Sequence, residues 1–471
     1  MNRIRKNILA ILLSNVFAGV YAQAPPAVHE FSVQQCIDYA RQHNVQVKNA
    51  LLDLQIQEQT NKSITAGALP TLSGSAGSTY YFHVPSQTFP NFISQATYSV
   101  LVAEGVKDGN GNPIQAPSDF GFINAAFGTK WNTNFGLTLN QVLFNGEVFV
   151  GLQARKASID LAQKTIDITR ENISVNIYKI YYQLVVSKTQ IAQLDANIAR
   201  AQKLLNDSKA MYDNGFQEKL DVDKATVQLA NLQTLKLSTQ TTVDNGYLGL
   251  KYLLGMPIKD SLALAGRFTE DDLKSGVLDD TAFHYEKRND YQSLQLTQKL
   301  YEYNIKANKS AYLPTANLTG FFQKTDQSNS FNAFQKSAFW ATNSYVGLNI
   351  SVPIFSGFAK DANLKKAKLQ LQQTQNQIEN LKNSIDNDVV QAQNKFRTAI
   401  LTVDFQKKNM ALAESVYNQT KKKYESGLAS NTDVTNAQTD LITAQTNYIS
   451  ALYDAVLAKV DYQKATGKLK Y

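Results

Sequence analysis

The segments YDNGFQEKLDV (212–222) and YESGLASNTDV (424–434) repeat one pattern at two places in the chain. In each segment a tyrosine comes three residues before a glycine, and an Asp-Val pair begins six residues after that glycine. Glycine readily adopts the left-handed conformation that ends a helix, and a carboxylate near a helix start faces the positive end of the helix dipole. Each segment therefore predicts a helix that ends, turns and is followed by another helix.

Further signals repeat in the same order around these turns. A Leu-Pro-Thr sequence, a Phe-x-Gly sequence and a closing glycine each occur twice, at 69–71 and 313–315, at 144–146 and 355–357, and at 255 and 467. The last two pairs are 211 and 212 residues apart, whereas the first pair is 244 residues apart. We interpret the chain as an internal duplication whose first copy carries an insertion of about 33 residues between Thr71 and Leu143.

Two long tracts, 147–256 and 357–471, contain no proline, the strongest helix breaker. In the first tract, isoleucine recurs every seven residues, at Ile159, Ile166, Ile173 and Ile180. Sustained heptads are typical of coiled coils, and a helix from 147 to about 213 would be on the order of 100 Å long. The tracts predict long helical hairpins over 147–254 and 358–466.

Before each hairpin the hydrophobic period changes from seven to two, which predicts strand pairs at about 71–145 and about 315–355. The clearest strand alternates Val346, Leu348 and Ile350 with polar residues, whereas 72–82 is weaker because it is rich in glycine and serine. Long loops are expected at about 84–128 and 325–344. Strands of about 10 residues with one apolar face suit a membrane barrel. Four strands cannot close a barrel, so two, three or four copies must share one.

The amino terminus has the pattern of a secretory signal peptide. Three basic residues precede a short apolar run, Ile8–Val20, and the small residue Ala22 follows at the expected cleavage site. The predicted layout is a signal peptide at 1–22, a first repeat at 23–255, an equatorial linker at 256–285 and a second repeat at 286–471. The fold class is an α+β membrane protein with four strands per chain.

Charge and composition exclude several functional classes. The formal net charge of +8 is small for 471 residues and scattered, so no nucleic-acid surface is expected. The single cysteine, Cys36, lies among apolar residues and is interpreted as a packed thiol. Nothing resembles a catalytic, cofactor or metal site, since the four histidines are isolated: His29, His43, His83 and His284.

The duplicated plan from about Phe31 to Gly467 resembles the TolC-type outer-membrane efflux family. The resemblance is carried by the Leu-Pro-Thr and Phe-x-Gly sequences, by the turn at 424–434 and by Gln438 and Leu441 beyond it. It implies a homotrimer in outer-membrane lipid, with a 12-stranded barrel and a periplasmic helical tunnel. It also implies a passive exit duct for tripartite efflux or type I secretion in a Gram-negative bacterium. The partners would be a periplasmic membrane-fusion adaptor and an inner-membrane pump of the resistance-nodulation-division or ATP-binding cassette type.

The same resemblance assigns roles to the two turns. It implies adaptor docking at six positions: Gly215, Phe216, Gly427, Leu428, Ala429 and Ser430. It implies a periplasmic gate at five: Tyr212, Asp221, Tyr424, Asp433 and Asn436. The chain departs from the family pattern where Ala429 replaces an arginine and Asn436 replaces an acid, so a weaker gate contact is expected.

Two other functional classes remain as alternatives. A periplasmic coiled-coil adaptor or scaffold would explain the heptads but not four alternating strands placed symmetrically before them. An enzyme with a helical stalk would need a compact domain, and the segments left over, about 84–128 and 257–289, are shorter than usual domains. The exported substrate is left open by the sequence.

Overall fold

The computed structural model describes residues 28–266, 273, 283–335 and 338–471. The predicted signal peptide at 1–22 lies outside these described residues. The chain divides into two compact units. Of the described residues, the helical unit comprises those up to Glu58, together with Lys156–Glu302 and Leu369–Tyr471, and the sheet unit comprises Gln59–Arg155 and Tyr303–Lys368.

The described ranges contain eight strands and eight α-helices with both ends described. The strands are β1 (Val28–Phe31), β2 (Thr71–Tyr80), β3 (Ser86–Pro90), β4 (Phe122–Ala126), β5 (Trp131–Phe144), β6 (Ser261–Leu264), β7 (Thr315–Ser328) and β8 (Trp340–Ser351). The helices are α1 (Val33–His43), α2 (Val45–Ala66), α3 (Phe92–Ala103), α4 (Gly146–Asp213), α5 (Lys219–Leu254), α6 (Asn289–Ser310), α7 (Ala359–Glu425) and α8 (Asn431–Ala465). A short 3₁₀ turn, Tyr285–Lys287, precedes α6. None of the helices in these ranges has both the length and the apolar composition that crossing a membrane requires.

The sheet unit is built on four antiparallel strands in the order β2-β5-β7-β8. These are the four strands that the alternating pattern predicts. Pairing runs from Thr71 opposite Asn140 to Tyr80 opposite Trp131, and the only register shift between β5 and β7 lies between Val142 and Phe144. Strands β2 and β8 form the two edges, and neither has a second strand partner in the described chain.

The predicted loop at about 84–128 is more structured than expected. It contains a second antiparallel pair, β3 with β4, and the uncharged helix α3. The predicted loop at 325–344 is shorter than expected, because β7 continues to Ser328 and β8 begins at Trp340. The weak pattern at 72–82 does form a strand as far as Tyr80, since all of β2 is paired with β5.

In the helical unit, α1, the middle of α4 and the carboxyl-terminal end of α5 share a core. Ile177 and Leu184 of α4 pack with Cys36 of α1 and with Leu250 and Leu254 of α5. Cys36 is fully buried, and burial raises the pKa of its thiol to about 12, so the thiol stays protonated and packs as a small apolar group, as predicted. The expected linker region adds β6, which pairs in parallel with β1.

Helices α5 and α8 are the shorter helices of the two hairpins. Each is followed by an equivalent glycine that another backbone segment approaches closely. A Cβ atom at Gly255 would lie 2.4 Å from the carbonyl oxygen of His43, and one at Gly467 would lie 2.8 Å from that of Lys287. Asn44 reinforces the first contact by donating a hydrogen bond to the carbonyl of Leu253 (2.7 Å). Both glycines also have positive φ angles, of 71° and 67°. No larger residue fits either position without displacing backbone.

Candidate functional site

Both helical turns have the same backbone. Residues 214–218 join α4 to α5, and residues 426–430 join α7 to α8. In the first turn, the N–H of Gly215 donates to the carbonyl of Tyr212 (2.9 Å) and that of Phe216 donates to Met211 (2.8 Å). In the second turn, Gly427 and Leu428 make the same bonds to Tyr424 and Lys423, at 2.9 and 2.8 Å. This is the Schellman arrangement, which requires the positive φ that both glycines have: 80° at Gly215 and 74° at Gly427.

The Schellman turns hold one large apolar side chain outward at each tip. Phe216 is 82% exposed and Leu428 is 79% exposed. They occupy the same position in the two turns, directly after the glycine. Exposed apolar groups at matching positions are candidates for contact with another protein. Among the other predicted docking residues, Ala429 differs, because it packs partly against the apolar cluster below the turn.

The start of α8 is held by a reciprocal cap. The Asp433 N–H donates to Ser430 Oγ (3.1 Å), while the Ser430 N–H and hydroxyl donate to Asp433 Oδ2 (2.9 and 2.8 Å). The backbone N–H of Ser430, followed by its hydroxyl, holds the pKa of the exposed Asp433 carboxyl below its usual range. The predicted gate acid therefore forms a capping box, in which all its described hydrogen bonds stay within its own turn.

The predicted gate tyrosine of the second turn lies in an apolar cluster. Tyr424 is buried and packs with residues of α4, α7 and α8: Leu204, Tyr417, Val434, Ala437 and Leu441. Its hydroxyl accepts a hydrogen bond from Gln217 Nε2 (2.8 Å) and lies 3.5 Å from Met211 Sδ. Tyr424 thus connects the two turns. Its counterpart Tyr212 is 43% exposed and lies outside this cluster.

A buried asparagine, which the sequence analysis does not single out, makes the second link between the turns. Asn431 donates from Nδ2 to Ser208 Oγ (3.3 Å) and to the backbone carbonyl of Asp221 (3.1 Å). Asp221 is therefore brought to the second turn through its backbone. Asn436 is exposed on α8 and joins none of these contacts. Apart from being first in the helix, Asn431 carries no sequence signal, because its partners come from distant segments.

Polar residues continue between α4 and α8 above the turns. Gln438 is fully buried and donates from Nε2 to the carbonyl of Asn197 (3.3 Å), while Asn197 Nδ2 donates to Gln445 Oε1 (2.8 Å). Arg200 donates to Asn197 Oδ1 (2.9 Å) and lies over the ring of Tyr417. Buried amide pairs fix the relative register of two helices, because a shift would leave polar groups unpaired.

The four-stranded sheet has one apolar and one polar face. On one face of the central strands, Phe135 and Leu137 of β5 lie beside Phe322 of β7, and on β8 Val346, Leu348 and Ile350 follow in alternation. The residues between them are mainly Asn, Thr, Ser and Gly. The apolar side chains are open to solvent in the single chain, for example 77% at Val346 and 60% at Leu348. A soluble fold would bury such a face.

Aromatic side chains cluster at both ends of this sheet. At one end Trp131 lies 5.0 Å from Tyr80 and 4.9 Å from Phe331, measured between ring centroids. At the other end, contacts join Phe144 to Phe149 and Phe355 to Phe358. Within the described ranges, no three histidine, cysteine or acidic side chains are grouped closely enough to hold a metal ion.

Comparison with known proteins identifies the family. The family described as outer membrane efflux protein matches residues 118–256 and 285–468, together more than half of the chain. Among individual proteins, the outer membrane protein TolC of Salmonella enteritidis is 22% identical over 343 residues, covering 72% of this chain and 69% of TolC.

Two solved structures show the same fold. The transmembrane channel protein CusC superposes with a TM-score of 0.73 at 16% identity, covering 94% of this chain and 95% of CusC. The outer membrane channel CmeC of Campylobacter jejuni superposes with a TM-score of 0.71 at 18% identity, covering 93% and 85% of the two chains. The chain therefore belongs to the outer membrane efflux protein family and serves as an exit duct in the outer membrane of a Gram-negative bacterium.

Proposed function

We propose that three copies of the chain join edge to edge into one 12-stranded barrel. The observation that carries this proposal is a four-stranded sheet with two unpaired edges and one exposed apolar face. In lipid, each unpaired backbone N–H or C=O group would cost several kcal/mol, so β2 and β8 must find partners. Because the strands alternate in direction, β8 of one copy can pair antiparallel with β2 of the next.

The apolar face then contacts lipid and the polar face lines the channel. Strands of 10 to 14 residues are long enough to cross the apolar layer when tilted. The aromatic clusters at the two ends correspond to the girdles that flank the lipid band of outer-membrane barrels. The helical unit, with most of the chain, lies in the periplasm.

The two turns dock a periplasmic adaptor that connects the duct to an inner-membrane pump. Phe216 and Leu428 provide equivalent apolar contacts in the two halves, since both side chains are exposed at the same position of their turns. The gate lies at the same end of the helical unit and is surrounded by five residues: Tyr212, Asp221, Tyr424, Asp433 and Asn436. The chain acts as a passive conduit without catalysis, and the pump of a tripartite efflux or type I secretion system supplies the energy.

Native mass spectrometry of the detergent-extracted protein, followed by single-channel recording in a planar bilayer, tests barrel sharing. We expect a trimer with a stable conductance, since only three copies supply 12 strands. A monomer that inserts no channel would overturn the proposal and would favour the adaptor or scaffold alternative.

Docking is tested separately with a matched pair of variants in one turn. Leu428→Lys places a charge where the adaptor would bury an apolar group, and Ser426→Lys adds the same charge at an exposed neighbour. We expect Leu428→Lys to abolish export and adaptor co-purification while the trimer and its conductance persist. Equal export by both variants would reject the docking assignment and leave the barrel untouched.

A further inference from the structure

The four strands of the main sheet carry just two charged residues, Lys324 and Asp326, both in β7. Alternation places them on the apolar face, in the same row as Phe322. Lys324 lies opposite Phe135 of β5 and Thr342 of β8, and Asp326 lies opposite Trp340. A charge on a lipid-facing surface is costly except near the headgroups, so these positions need an explanation.

Asp326 is accounted for by its own contacts. Its carboxylate is buried and accepts hydrogen bonds from the N–H of Phe339 (3.1 Å) and the hydroxyl of Ser328 (3.4 Å).

Lys324 is exposed, and its ammonium forms no ion pair or hydrogen bond with any residue that the structure describes. The rings of Phe135 and Trp340 meet over β7 with centroids 5.4 Å apart. The strand partners of these two aromatic residues are Lys324 and Asp326.

A groove of about 620 Å³ runs along the apolar face beside Lys324. Its apolar walls are formed by Gly74, Ala76, Phe135, Leu137 and Phe322, with Lys324 also lining it. Gly74 pairs with Leu137, and Ala76 pairs with Phe135, so small residues of β2 leave space next to large residues of β5. The groove therefore has apolar walls and a single unpaired cation, the ammonium group of Lys324.

We infer that this groove binds a membrane lipid with a phosphorylated headgroup. An acyl chain would lie along Gly74, Leu137 and Phe135, and the phosphate would accept hydrogen bonds from the Lys324 ammonium. Lys324 lies four residues before the end of β7, roughly 13 Å along the strand and less in depth for a tilted one. A lysine side chain can bridge that remaining depth by extending toward the headgroups. The inference rests on the proposed function, which turns this face toward lipid.

The choice of a lipid over free phosphate follows from the rest of the groove. One ammonium without further donors binds phosphate weakly in water, where the ion pair is screened. An acyl chain adds burial of apolar surface, at about 25 cal/mol per Å². The groove walls provide that surface, whereas a free anion would use none of it.

The test compares two lipids with identical acyl chains, phosphatidic acid and diacylglycerol, bound to the detergent-extracted trimer and counted by native mass spectrometry. We expect phosphatidic acid to bind about tenfold more tightly, because one hydrogen bond to a charged group contributes about that factor to affinity. Lys324→Gln should reduce phosphatidic acid to the level of diacylglycerol, and Lys324→Arg should retain the preference. Lys62→Gln, at an exposed lysine of α2, should leave it unchanged.

Equal binding of the two lipids by the wild-type trimer would overturn the inference without any variant. An unchanged preference in Lys324→Gln would also overturn it. Displacement of phosphatidic acid by equimolar inorganic phosphate would identify an anion site only, with no part for the acyl groove. A conducting trimer that fails these tests leaves the proposed duct intact, whereas a wild-type protein without trimer or conductance fails the proposed function instead.

Discussion

The two turns, at 214–218 and 426–430, have one backbone but are held by different side chains. Their N-cap residues have nearly the same angles, φ −85° and ψ 152° at Glu218 against φ −86° and ψ 162° at Ser430. Ser430 forms a capping box, whereas Glu218 makes no side-chain cap hydrogen bond. Tyr424 is 8% exposed, whereas Tyr212 is 43% exposed.

Backbone geometry and local stability are therefore set by different residues in the two turns. Glycine and the Schellman hydrogen bonds are enough to reproduce the turn. The second turn has additional anchors, and the first turn is attached to it through Gln217 and through the carbonyl of Asp221. We therefore expect the turn at 214–218 to open more readily than the turn at 426–430, and hydrogen exchange of the two segments measures this directly.

The largest expected effect comes from removing the buried ring. Tyr424→Ala should lower the free energy of local opening at 426–434 by about 3 kcal/mol, because it empties a site inside an apolar cluster. Tyr212→Ala should cost about 1 kcal/mol or less, since that ring is half exposed. Hydrogen–deuterium exchange of peptides from both turns measures each change. Equal losses in the two variants would contradict the assigned difference in burial.

The next effect concerns the cap of α8. Ser430→Ala removes the side-chain acceptor for the Asp433 N–H and should destabilise the first turn of α8 by about 1 kcal/mol. Glu218→Ala should change the stability of α5 by only a few tenths of the roughly 1 kcal/mol expected for Ser430→Ala, because no cap hydrogen bond is lost. Exchange rates of the first-turn amides in the two helices check the contrast. A comparable acceleration in α5 would mean that Glu218 stabilises its helix by another route.

One substitution in the first turn should give α5 the cap that α8 already has. Glu218→Ser creates the spacing Ser-x-x-Asp with Asp221, which is the spacing of Ser430 and Asp433. Because the N-cap backbone angles already match, we expect a gain of about 0.5 to 1 kcal/mol in α5. Slower exchange at 219–222 is the measurement, with Glu218→Ala as the control that removes the same side chain without creating a cap. No change in Glu218→Ser would show that the cap needs more than backbone and spacing.

The smallest effect is a pH dependence confined to the second turn. The lowered pKa of Asp433 means that its charged form stabilises the folded turn; this contribution is complete above the usual carboxyl value of 3.8 and is lost as pH falls through the lower folded value. Exchange at 431–434, corrected for the intrinsic rate, should therefore be constant between pH 5 and 7 and accelerate below about pH 4. Asp433→Asn should remove this acid-dependent acceleration. Acceleration already at pH 6 would require a different titrating group.

Much of the architecture could be predicted because its signals are local. Alternation in β8 and the glycine turns each depend on a few neighbouring residues. Other elements depend on distant partners. The four-residue strands β1 and β6 pair across more than 200 residues, and neither is long enough to show a period. Helix α3 has no buried residue among those described, so its sequence, FISQATYSVLVA, lacks the spacing that marks a helix packed on one side.

The candidate functional site also combines features with local sequence signals and features that depend on distant residues. The two Schellman turns follow from Gly215 and Gly427, which the sequence contains, whereas the exposure of Phe216 and Leu428 is seen only in the structure. The sequence does not indicate that Asn431 bridges the two turns, because this role depends on Ser208, 223 residues earlier in the chain. The docking and gate roles of the turns remain predictions, as does the weakening expected from Ala429 and Asn436.

The close approach at Gly255 and Gly467 gives α5 and α8 the mechanics of levers. Each helix is fixed where its glycine meets a carbonyl, and its other end carries a turn. Helix α5 has 36 residues and is about 54 Å long at about 1.5 Å per residue. A tilt of about 5° at the glycine would therefore carry the turn sideways by roughly 5 Å, which is wider than a water molecule. A small rotation at the fixed end is therefore enough to displace the turn at the other end.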